Sequence, residues 1–110
     1  MAIPDGTTLD RLFQTIDGRR NADPASSYTA KLLSEGAERA AQKLGEEALE
    51  TALAAAGGRH AGVVGESADL LYHLLVLWAA AGVAPAEAWA ELTRREGTSG
   101  LAEKAARPRS

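Results

Sequence analysis

Cysteine is absent from the 110 residues, which excludes a disulfide framework and thiolate chemistry and points to a reducing, cytoplasmic setting. The opening "MAIPDGTTLD" has neither the basic start nor the apolar centre of a secretory signal. A strong excess of one charge is also missing: 12 basic and 15 acidic residues leave a formal net charge of −3. That balance suggests neither a nucleic acid nor a membrane as partner. The longest apolar run, "LLYHLLVLWAAAGV" at 70–83, falls short of the roughly 20 residues a bilayer span needs and contains a histidine. It reads as a buried helix. Alternation with a period of two is missing, β-branched residues are sparse, and no internal repeat or low-complexity block occurs. With no strand indicated, the expected class is all-α.

What remains is ordinary for a folded chain: 45% hydrophobic and 25% charged residues. The length suits one domain over 1–110 with a modest core, small enough that association with a second copy would help it. Leu9, Leu12, Phe13 and Ile16 recur at helical spacing behind the capping candidates Thr7 and Thr8, which predicts a first helix at about 8–20. "NADPASS" at 21–27 is a loop, and "YTAKLL" is a candidate for a helical turn after it. Ser34 and Glu35 open a second helix at about 34–56, rich in Ala, Glu and Leu, which "GGR" at 57–59 closes. A third helix is expected at about 62–81, with His60 in the loop before it. Pro85 starts a fourth at about 85–96, with Ala88, Trp89 and Leu92 facing inward. The tail "TSGLAEKAARPRS" holds one small helical prospect and a loose basic end. Four main helices with short connections make a helical bundle.

Like charges crowd one part of the second helix. With each residue advancing by about 100°, Glu50 lies at roughly 40° and Glu47 at roughly 100° from Glu46, so the three share a face. Ala37, Ala41, Leu44, Ala48 and Ala55 would form the opposite, close-packing face, while Leu49 and Leu53 border the acids. On the third helix Glu66 and Asp69 are three apart, and His73 continues their face at the next turn. Acids at the mouth of so apolar a helix are costly unless something neutralises them. Mg²⁺ fits that demand, because it takes carboxylate oxygens, keeps several waters and usually sits where substrate phosphates complete its shell. The plainer alternative is a solvated acidic face with Lys43 paired to Glu47 at i, i+4. His73 reads as a hydrogen-bonded buried histidine rather than a ligand. Tyr72, Trp78 and Trp89 read as core or interface residues.

The order "SYTAKLL" (27–33), "AQKLGEEALET" (41–51), "ESADLLYHLLVL" (66–77) and "GLAEKAAR" (100–107) closely resembles the phosphoribosyl-ATP pyrophosphohydrolases of histidine biosynthesis. These belong to the broader MazG-like, all-α nucleotide pyrophosphatases. The E-E-x-x-E and E-x-x-D acids are the broader group's mark, and the "SYT" and "GLAEKA" segments are that of this branch. The glycine-rich "AAGGRHAGVVG" linker is less acidic than the family pattern, which bears on the helix boundary there. The resemblance implies a helical dimer or higher oligomer, Mg²⁺ at the acids, and cleavage of phosphoribosyl-ATP to phosphoribosyl-AMP and pyrophosphate. It implies Glu47, Glu50, Glu66 and Asp69 as metal ligands and Glu46, Glu47 and Glu50 as catalytic acids, Glu46 being a further ligand or the base that orients water. Lys31, Lys43 and Lys104 are candidates for phosphate contacts, with Arg19 and Arg20 behind them. A general nucleoside triphosphate pyrophosphatase using the same acids, and a non-catalytic dimerisation module, are the competing expectations.

Overall fold

The structure is a computed structural model that describes residues 4–108. Six helices follow in order: α1 (Thr7–Asp17), α2 (Tyr28–Glu35), α3 (Ala37–Ala56), α4 (His60–Ala81), α5 (Pro85–Arg95) and α6 (Gly100–Ala106). No strand occurs among the described residues. The all-α class therefore stands, but with six helices among the described residues: α2 is a full element rather than a turn, and α6 is the small helix expected in the tail. The basic end at Arg109 and Ser110 lies outside the described residues.

Local chemistry explains where the boundaries moved. At α1 the N-cap position is Gly6, not a threonine, and Asp5 just before it accepts from the Thr7 hydroxyl at 2.6 Å and the Thr7 amide at 2.9 Å, which holds the Asp5 carboxyl below its ordinary range. Ser27 caps α2 by accepting from the Ala30 amide at 3.1 Å. Ser34 and Glu35 finish α2 instead of opening α3, because the chain breaks at Gly36, whose φ of 91° and ψ of 179° no side chain tolerates. Gly36→Ala is therefore expected to cost about 1–3 kcal/mol, measurable as a lowered denaturation midpoint with an unchanged helical spectrum. His60 is the first residue of α4 and not a loop residue.

The long helices α3 and α4 form a hairpin across residues 57–59 and carry most of the packing. Along α3 the buried residues are Ala40, Glu47 and Ala54, spaced by two turns each, so the seam against α4 runs through a glutamate. This corrects the expected packing face: Ala37, Ala41, Ala48 and Ala55 are exposed and Leu44 is only half-buried. α1 packs on α4 and α2 on both α3 and α4, and the core joins Ile16, Leu32, Ala40, Leu75, Val76 and Ala79. Arg20 fastens α1 to α4 by donating to the Ala79 carbonyl at 2.6 Å while pairing with Asp17. α4 ends at Gly82 with φ 76°, whose amide returns to the Trp78 carbonyl.

α4 is less enclosed than its composition suggests. It is long and apolar enough by length and composition to cross a membrane, yet 22% of that stretch is buried within the chain. Leu71 remains exposed, and Leu92 of α5, expected inside, is 57% exposed. Trp78 and Trp89 meet edge to face with centroids 5.6 Å apart, and the Trp89 indole donates to Asp10 at 2.8 Å.

α6 is held to α5 by one buried carboxylate. Glu103 is 6% exposed and accepts from Arg94 at 2.8 Å on both oxygens, with Arg95 at 3.5 Å and Arg107 at 3.4 Å. Arg94 first, then Arg107 and Arg95, hold its carboxyl below the ordinary glutamate range against the opposing effect of burial. Its folded value is depressed, so its contribution is complete above the ordinary value of 4.5 and is lost as pH falls through the lowered value. Glu103→Ala is expected to release α6 at neutral pH, read as faster proteolysis after residue 96, and to remove that acid-side step from the melting curve.

Candidate metal and active site

Glu47 comes to the α3–α4 seam from its third turn, and Glu66 and Asp69 come from the second and third turns of α4. The hairpin places them opposite one another, and one carboxylate oxygen from each lies within 4.8 Å of the others. Glu47 is 9% exposed. Its Oε2 and the Oε2 of Glu66 are both buried without a hydrogen-bond partner, an expensive condition for carboxylates. Burial, then the adjacent Glu50 carboxylate, then Glu47 and Asp69, push the Glu66 carboxyl above its ordinary range. Two orphaned oxygens among converging acids are the donor set of a hard divalent cation, so these residues fit such an ion.

Of the sequence-derived ligands, Glu47, Glu66 and Asp69 converge, and Glu50 stands beside Glu66. Glu46 is turned outward: it is exposed, accepts from Gln42 at 3.4 Å and pairs with Lys43 at 3.1 Å. Lys43 thus pairs at i, i+3 with Glu46 rather than at i, i+4 with Glu47, and Glu46 raises its affinity for the proton. Lys43 lies one turn from Glu47 on α3. Lys31 is exposed on α2, and Lys104 is exposed on α6, which docks on α5 through Glu103. Arg20 serves the C-terminal end of α4, ten residues beyond Asp69 or roughly 15 Å along the helix. It is not brought to the acids.

His73 is buried with both ring nitrogens engaged: Nδ1 with the Asp69 carbonyl at 2.8 Å and Nε2 with the Tyr28 hydroxyl at 3.3 Å. This matches its reading as a hydrogen-bonded buried histidine. Tyr28 itself was legible only as part of the "SYT" segment. Nothing in its spacing places it against His73, since the two are 45 residues apart.

Residues 9–96 match the family described as "Phosphoribosyl-ATP pyrophosphohydrolase". A "Phosphoribosyl-ATP pyrophosphatase" of Parvibaculum lavamentivorans is 63% identical over 103 residues, covering 94% of each chain. That of Rhizorhabdus wittichii is 63% identical over 102 residues, 93% of this chain and 96% of the relative. That of Azospirillum brasilense is 59% identical over 99 residues, 90% and 89%. With the acids on an all-α hairpin and likeness of this extent, the chain belongs to the phosphoribosyl-ATP pyrophosphohydrolase family.

Proposed function

We propose that this protein hydrolyses the α–β phosphoanhydride of phosphoribosyl-ATP, releasing phosphoribosyl-AMP and pyrophosphate in the second step of L-histidine biosynthesis. The observation that carries the reading is the convergence of Glu47, Glu66 and Asp69 with two buried, unpartnered oxygens, in a chain whose relatives bear that enzyme's name. Glu47, Glu66 and Asp69, with Glu50 as fourth ligand, would hold Mg²⁺. When bound, such an ion neutralises charge on the phosphoanhydride oxygens and acidifies bound water.

The side chains supply the rest. Four clustered carboxylates alone repel a triphosphate, so the substrate enters only with its charge offset. Lys43 stays protonated beside Glu46 and, one turn from Glu47 on α3, would contact phosphate. Glu46 would orient the water, which adds across the anhydride as pyrophosphate departs, once a substrate phosphate draws Lys43 out of its ion pair with Glu46. Lys31 on α2 and Lys104 on α6 would contact phosphate as well.

A homodimer or higher oligomer accords with the open parts of the molecule. A groove of about 340 Å³ between α1, α4 and α5 is lined by Leu9, Leu71, Leu74, Trp78, Trp89 and Leu92, and apolar surface of this kind is what association covers. The proposed unit is one domain over 1–110, cytoplasmic, with neither nucleic acid nor membrane as partner.

Pyrophosphate release from phosphoribosyl-ATP, run beside ATP and the deoxynucleoside triphosphates with Mg²⁺ or chelator, tests the proposal. Selective, Mg²⁺-dependent release from phosphoribosyl-ATP is expected. Preference for deoxynucleotides, or no release at all, would overturn it.

A further inference from the structure

Tyr28 opens α2 and is 50% exposed, yet its ring and hydroxyl are closely fixed. The ring stacks on Tyr72 with centroids 6.3 Å apart at 22°, and His73 meets both rings on edge. Thr29 and the Tyr72 hydroxyl bond alongside. The polarity of the chain through His73 follows from its partners. A carbonyl oxygen only accepts, so Nδ1, 2.8 Å from the Asp69 carbonyl, carries the proton of the neutral ring. Nε2 then accepts, and the Tyr28 hydroxyl donates to it across 3.3 Å. With its only proton spent inward, the Tyr28 oxygen turns acceptor lone pairs toward solvent.

Position supplies the second half. Lys43 is one turn from Glu47 on α3, and His73 is one turn from Asp69 on α4, both on the side away from the 57–59 connection. Tyr28 touches His73 and lies close to Lys43, so it stands on the side of the acids away from that connection, joined to the Asp69 backbone through His73. A nucleotide that has its phosphates at the acids and Lys43, and that extends toward this side, would bring the sugar next to its phosphates toward Tyr28. Phosphate oxygens only accept and do not match an acceptor, whereas a sugar hydroxyl donates and does.

We propose that Tyr28, oriented by His73, reads a ribose hydroxyl of the substrate as a hydrogen-bond acceptor, making it a specificity residue and His73 its positioning residue. This rests on the function proposed above. The test is steady-state kinetics on phosphoribosyl-ATP with Mg²⁺, with product inhibition by phosphoribosyl-AMP and by inorganic pyrophosphate. Tyr28→Phe should raise KM about three- to tenfold with kcat within about twofold of wild type. It should weaken inhibition by phosphoribosyl-AMP and leave that by pyrophosphate unchanged. His73→Leu should act in the same direction, His73→Gln, which keeps an acceptor, should restore KM, and the Tyr28→Phe/His73→Leu pair should be no worse than Tyr28→Phe alone. An unchanged KM in Tyr28→Phe, a fall confined to kcat, or equal weakening of pyrophosphate inhibition overturns the assignment. Tyr28→Phe decides the matter even if the buried His73 variants fail to fold. An inactive wild type would instead overturn the parent function, so the two failures are distinguishable.

Discussion

Glu47→Gln is expected to lower pyrophosphate release from phosphoribosyl-ATP by about a hundredfold or more, while the metal-free protein melts at the same temperature as wild type or higher. Both halves come from one placement. Glu47 is the acid that lies in the α3–α4 seam, with one oxygen buried and unpartnered. Gln keeps its volume, removes a negative charge from beside Glu66 and Asp69, and offers them an amide donor. The repulsion that helps push up the Glu66 carboxyl is thereby reduced. A substitution that stabilises the empty protein and stops turnover marks a residue retained for its charge. Kinetics beside a melt in chelator measure this, and retained turnover at limiting Mg²⁺ would sink the ligand assignment.

The second large effect is on stability. A cation bound only by the folded chain raises its stability by about 2.7 kcal/mol at a hundredfold excess over its Kd, which for a domain of this size lifts Tm by roughly 10–20 °C. Wild-type protein should show that rise on titration with Mg²⁺ and lose it with chelator. Glu47→Gln and Asp69→Asn should each flatten the response, because each withdraws one of three converging oxygens. A helical dimerisation module with solvated acids predicts no rise in any of them.

Much of this arrangement could be read from the sequence, for identifiable reasons. The 3.6-residue period placed α1, α3, α4 and α5, because apolar spacing is a local signal. The acids were found because E-E-x-x-E and E-x-x-D are local too. Which acid turns inward was not legible. By angle alone Glu46, Glu47 and Glu50 share a face, and the choice of Glu47 is made by the seam through Ala40 and Ala54, a property of where α4 lies. The expected alanine face failed for the same reason: small residues permit close packing without requiring it. Tyr28 against His73 and Glu103 among three arginines are contacts between elements, and periodicity along one helix carries no information about them. The split at Gly36 was hidden because helical propensity is continuous from "YTAKLL" into "AERAAQ", and a single glycine in an unusual conformation interrupts it.

The seam itself carries a further meaning. Ala40 and Ala54 sit two turns either side of Glu47 and are almost wholly enclosed, so the methyl groups of two alanines act as spacers that set how near α3 comes to α4. Mg²⁺ needs its oxygens at about 2.0–2.1 Å, whereas Ca²⁺ takes them at about 2.3–2.6 Å. On the metal reading, the spacing that a bound ion would meet is thus set in part by the smallest side chains of the hairpin, which would not touch the ion. A longer side chain at either position is expected to widen the gauge and part the acids on α3 from those on α4, read as a smaller rise in Tm on addition of Mg²⁺.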